Sequence, residues 1–228
     1  MTTNNNNSSS SNKDNHTPHT HTLVIHMPEA PEGKSLQEAK KALIMIHGRG
    51  ALARDMLSLS RHLHLKDYAV LAPQATNNSW YPQSFMADTA QNEPWLSSAI
   101  DIIDQTVQKI IDAGIASKDI YFFGFSQGAC LTLEYLARHP KRYGGAVAII
   151  GGLTGPELNK DQYKGDFKET PVFLGTSNPD FHVPIQRVRD TQNVLRDMHA
   201  AVTLKEYTGM GHTINQDEID QANHLIFH

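Results

Sequence analysis

The chain has 228 residues and a formal net charge of −4, enough for one sizeable α/β core and without the basic stripe that nucleic acid would need. No apolar run reaches membrane-span length, so stable membrane insertion is not expected. A single cysteine, Cys130, excludes an intrachain disulfide, and Met1-Thr2-Thr3-Asn4 lacks the basic and apolar segments of a secretory signal, so the expected location is cytoplasmic.

Residues 1–21 are almost wholly Asn, Ser, Thr and His. Such a segment cannot bury enough apolar surface to offset the entropy of ordering, and a disordered low-complexity tail is expected. His16, His19 and His21 lie in it with no fixed geometry for a metal. Residues 22–228 are expected to form one domain. Order begins with a short edge strand over 23–26. Residues 42–46 form a continuous apolar run, the pattern of a central parallel strand buried on both faces, and end in His47-Gly48-Arg49-Gly50. Leu52, Met56, Leu57, Leu59 and Leu63 then mark a helical face. A strand over 68–72 leads into a long loop carrying Trp80, Tyr81, Phe85 and Met86; long loops in compact domains are usually functional. From 93 to 113, apolar residues recur at helical spacing until Gly114 stops the helix.

The next strand, 120–125, drives into Gly124-Phe125-Ser126-Gln127-Gly128, and a helix follows at once, to be ended by Pro140. Strands are expected at 146–150, 172–174 and 202–207, with helices over 184–199 and 216–227. The alternation argues for a mostly parallel twisted sheet with helices on both faces. The connector between the sixth and seventh predicted strands is short, which leaves no room for a large cap.

A strand feeding a helix through Gly-x-Ser-x-Gly forces its central serine into strained backbone geometry, and glycines on either side supply the room. The hydroxyl is then held at the carboxyl edge of the sheet, where such sheets bind ligands, with a helix N-terminus behind it. A serine is a poor nucleophile without a base, and the base needs an orienting carboxylate; in this architecture they follow in the order Ser, acid, His. His199, His224 and His228 fall in helices. His212 stands in a Gly-rich loop past the final strand and is the expected base. Asp180 follows the strand at 172–174 and precedes a helix, whereas Asp166 lies at the opposite edge and Asp197 is inside a helix. It is the expected acid. Arg49 and Gln127 are the expected backbone N–H donors to an oxyanion. Trp80, Tyr81, Phe85, Met86, Leu153 and Met210 are expected to wall an open apolar groove, with His182 beside it, though each residue type serves ordinary packing equally well. The Arg49 side chain is expected to pair with Asp55 or Glu93; the alternative is attraction of an acidic substrate.

In combination, His47-Gly48-Arg49-Gly50, Ser79-Trp80-Tyr81, Gly124-Phe125-Ser126-Gln127-Gly128-Ala129, Asp180-Phe181-His182-Val183-Pro184 and Tyr207-Thr208-Gly209-Met210-Gly211-His212 resemble the phospholipase/carboxylesterase branch of the α/β-hydrolases, which includes acyl-protein thioesterases. The resemblance extends over residues 42–227. It implies Ser126 as nucleophile, His212 as base, Asp180 as acid, and Arg49 and Gln127 as backbone donors. The chain departs from the pattern at Gly48-Arg49-Gly50-Ala51, where many relatives carry an apolar residue and then Asp, and in a stretched acid loop, with residues 176–179 between Gly175 and Asp180. The expected activity is hydrolysis of small carboxylic esters of short to medium acyl chains through an acyl-enzyme, with no metal or cofactor. Alternatives are hydrolysis of acyl thioesters or lysophospholipids and, from another class, a binding protein on a dead hydrolase scaffold. The complete Ser/Asp/His set speaks against the last.

Overall fold

The computed structural model describes residues 34–158 and 160–228. The tail at 1–21, with its histidines, and the strand expected at 23–26 lie outside the described residues. Six strands pair in parallel throughout: β1 (Lys41–Ile46), β2 (Tyr68–Leu71), β3 (Ile120–Phe125), β4 (Gly145–Ile149), β5 (Pro171–Asn178) and β6 (Ala201–Thr208). Their order across the sheet is β2-β1-β3-β4-β5-β6. The connectivity therefore reverses direction at β1 and β3, the switch point beyond whose carboxyl ends ligands bind in open α/β sheets.

The helices are α1 (Ala53–Leu59), α2 (Trp95–Asp112), α3 (Gln127–Arg138), α4 (Ile185–Asp197) and α5 (Gln216–Leu225). Side chains of successive strand residues point to opposite faces, and β3 shows both faces covered. Tyr121 packs its ring against Tyr68 and against Phe227, just past α5, while Phe122 packs against Tyr135 of α3 and Tyr143. On α3 every residue from Gln127 to Ala137 is buried. Each large apolar side chain so buried adds about 1.5–3 kcal/mol to stability, which holds α3 firmly on the sheet. No large cap covers the carboxyl edge of the sheet among the described residues.

One boundary departs from expectation. The strand expected to stop at Leu174 runs on through Asn178 as β5, pairing residue for residue with β6 to Thr208. Thr176 and Ser177 are polar and read as loop, yet both are fully buried. Of the residues 176–179 ahead of Asp180, the first three are accordingly the end of a strand, and Pro179 alone lies beyond it.

Candidate active site

Ser126 sits between β3 and α3 with φ 53° and ψ −120°, a backbone conformation that costs a non-glycine residue roughly 1–3 kcal/mol. Two glycines permit it. A Cβ on Gly124 would lie 2.4 Å from the Gly128 carbonyl oxygen, and one on Gly128 would lie 2.1 Å from that of Ile46. No side chain fits at either place, so α3 approaches β1 and β3 closely enough to present the serine at the sheet edge. Gln127, the first residue of α3, has no intrahelical acceptor for its N–H.

The three expected side chains meet. His212 Nε2 lies 2.7 Å from Ser126 Oγ, and His212 Nδ1 lies 2.9 Å from Asp180 Oδ2. The Asp180 side chain is 1 % exposed and that of His212 27 %. The other oxygen of Asp180 accepts the N–H groups of His182 (2.8 Å) and Val183 (2.9 Å). Burial alone would raise the Asp180 pKa, but the His212 hydrogen bond and the two N–H groups outweigh it and hold the carboxyl below its ordinary value. An ionised Asp180 requires His212 to carry its Nδ1 proton toward it, which leaves Nε2 free to accept from the serine. This is an arrangement that can move a proton off Ser126. The His212 loop is tied back by Gly211 N–H donating to Ser177 Oγ (3.0 Å), and the His212 ring packs against Phe125 and His182. Ser177 carries no local sequence signal; its role follows only from the extension of β5.

The loop after β1 is fixed from below by His47. This fully buried imidazole donates from Nδ1 to Gly48 O (2.7 Å) and accepts at Nε2 from Ala75 N–H (3.1 Å). Burial lowers its pKa, which keeps it neutral in this role. Trp80 is also fully buried rather than a groove wall: its indole N–H donates to His47 O (2.8 Å). The Gln127 side chain clasps the same loop, accepting from Trp80 N–H (3.0 Å) and donating to Tyr81 O (2.9 Å). Arg49 pairs with neither expected carboxylate. Its guanidinium donates to Ser79 Oγ (2.9 Å), Pro82 O (3.0 Å) and Gln83 O (2.7 Å). Asp55 instead accepts the Leu52 N–H, and Glu93 that of Ser97, each bonding within its own helix terminus.

A cleft of about 560 Å³ opens over Ser126, lined by residues including Tyr81, Phe85, Gln127, Cys130, His182 and His212, with Arg49 and the segment 82–84. Trp80, Met86, Leu153 and Met210 are not part of this lining; Leu153 is buried, and Met86 and Met210 pack against the core. Cys130 does line it. Burial pushes its thiol up to about 12, so it supplies bulk rather than a second nucleophile.

A strained serine on a strand–helix elbow, on a six-stranded parallel sheet, with an imidazole and a carboxylate delivered from later loops, defines an α/β-hydrolase fold. The phospholipase/carboxylesterase family model matches residues 32–227, and the chain belongs to that family. It is accordingly an esterase-type hydrolase. The crystal structure of a phospholipase/carboxylesterase from Dyadobacter fermentans is 50% identical, with a TM-score of 0.88 over 92% of this chain and 98% of that one. Acyl-protein thioesterase 1 of Saccharomyces cerevisiae is 28% identical over 214 residues, covering 84% of this chain and 93% of the yeast protein. A probable SOBER1-like carboxylesterase of Arabidopsis thaliana is 25% identical over 198 residues, 79% of this chain and 76% of its own. Among the described residues no helix is long and apolar enough to cross a membrane.

Proposed function

We propose that this protein hydrolyses carboxylic esters of short to medium acyl chains through an acyl-enzyme on Ser126. The observation that carries the reading is the pair of contacts on one imidazole, 2.7 Å to the hydroxyl and 2.9 Å to the carboxylate. Ser126 Oγ attacks the ester carbonyl while His212 Nε2 takes its proton. Asp180 holds the ring and stabilises the imidazolium. The backbone N–H groups of Gln127 and Arg49 receive the oxyanion, with the N-terminal dipole of α3 adding to them. The tetrahedral intermediate collapses, the alcohol leaves with the proton from His212, and water then attacks the acyl-serine by the same route in reverse. The bounded cleft and the absence of a large cap suit small esters. A second reading, hydrolysis of acyl thioesters, is favoured by the likeness to the yeast thioesterase and uses the same steps with a thiol as leaving group.

The test is Ser126→Ala with p-nitrophenyl butyrate as substrate. Turnover is expected to fall by about five to six orders of magnitude while the far-UV circular dichroism is unchanged. Substantial remaining activity in a folded variant overturns the assignment.

A further inference from the structure

We propose that Arg49 makes this cleft selective for esters whose acyl part carries a carboxylate. The inference rests on the esterase reading above and names the substrate class of that site. Among the described residues the guanidinium's hydrogen-bond partners are neutral: one hydroxyl and two backbone carbonyls. The full positive charge is therefore uncompensated by any of the groups that hold it. Three hydrogen bonds and the face of Tyr81, 6.0 Å from the guanidinium carbon, hold it in place, so an incoming anion need not pay to order it. Arg49 lines the cleft, and among the described residues no acidic side chain does; Asp180, the neighbouring carboxylate, is turned away onto His212, His182 N–H and Val183 N–H.

Position selects the acyl side of the ester. His212 must hand its proton to the departing oxygen, so the alcohol leaves on the side of His212 and of His182, which packs against it. That leaves for the acyl chain the lining that Arg49, Tyr81 and Phe85 contribute to the same cleft. A carboxylate at the far end of a short acyl chain reaches the region of the guanidinium without displacing the carbonyl from its N–H donors. Neutral chains of the same length gain nothing from that charge.

The test compares p-nitrophenyl hexanoate with the mono-p-nitrophenyl ester of adipic acid, which puts a carboxylate where hexanoate has its terminal methyl. In the wild type, kcat/KM is expected to favour the adipate ester by about tenfold at low ionic strength, shrinking as salt is added, the size of one charge–charge interaction at a partly exposed site. Arg49→Gln is expected to abolish the preference and Arg49→Lys to keep most of it. Turnover of both esters is allowed to fall in either variant, because Arg49 also anchors the loop at 79–83; the ratio is the readout. Hydrolysis of both esters at equal kcat/KM, or an unchanged ratio in Arg49→Gln, overturns the proposal and leaves the esterase reading standing. Failure to hydrolyse either ester brings down both.

Discussion

Ser126 and His212, the proposed nucleophile and base, are held in position by different physics. Ser126 precedes a helix that is buried from Gln127 to Ala137, and its geometry is dictated by two glycines with no space for a Cβ. His212 stands in an exposed loop between Gly211, at φ 81°, and the start of α5, held by hydrogen bonds with Ser177 Oγ on the preceding N–H and with Asp180 on its ring, and with Phe125 and His182 packed against the ring. Sterics and burial fix the one, polar contacts the other. A change at the glycines of the elbow should therefore cost stability, and a change at the His212 loop should cost rate.

The largest effect sharpens that contrast. His212→Ala is expected to lower kcat by about four orders of magnitude or more, measured by steady-state hydrolysis of p-nitrophenyl butyrate. Its melting temperature should stay within a few degrees of wild type, because no core contact is lost. Gly128→Ala reverses the pattern. A methyl group 2.1 Å from Ile46 O and 2.6 Å from His47 O must push α3 off the sheet, at a cost of about 3 kcal/mol or more, seen as a fall of about 10 °C in melting temperature. A folded, stable Gly128→Ala protein, or a His212→Ala protein that unfolds, would break the comparison.

A smaller effect lies beneath the base loop. Glu218 in the first turn of α5 is fully buried; one oxygen accepts Asn215 N–H and the other has no partner among the described residues. Desolvation is the main cause of a pKa raised to about 7 from the ordinary 4.5. The folded state thus holds this proton more tightly than the unfolded one. Below about pH 4.5 both states are protonated and the group is neutral to stability; between 4.5 and 7 stability falls as pH rises, and above 7 the loss is complete. Glu218→Gln should remove that slope, gaining about 1–3 kcal/mol on wild type between pH 4.5 and pH 8 in urea unfolding. Equal pH dependence in the two proteins would contradict it.

What the sequence discloses divides along the same line. The elbow is legible because its constraint is local: glycines two residues either side of a serine, an apolar strand before and a helical pattern after. Four of the six described strands are legible for the same reason, as apolar runs with turn residues at their ends; β5 shows only its apolar first half, and β6 is read from the alternation of Val202 and Leu204 with their neighbours. Asp180 and His212 are found less directly, by their order in the chain and by loops that follow strands. Contacts made across the chain leave no such trace. Thr176 and Ser177 read as loop because their polarity hides the burial that pairing with β6 imposes. Trp80 reads as a wall of the cleft because an aromatic residue in a long loop suits either role, and only the His47 carbonyl beneath it decides. Arg49 reads as an ion-pair partner because Asp55 stands near it in sequence and Glu93 at the end of the long loop after β2, yet the backbone oxygens of Pro82 and Gln83 are what its planar donors meet.

The most direct test of the shared centre is covalent. A fluorophosphonate probe, followed by peptide mass spectrometry, should leave one adduct, on the peptide containing Ser126, and labelling should drop sharply in His212→Ala. Robust ester hydrolysis by a protein whose Ser126 stays unlabelled, or labelling that is indifferent to His212, would contradict the account.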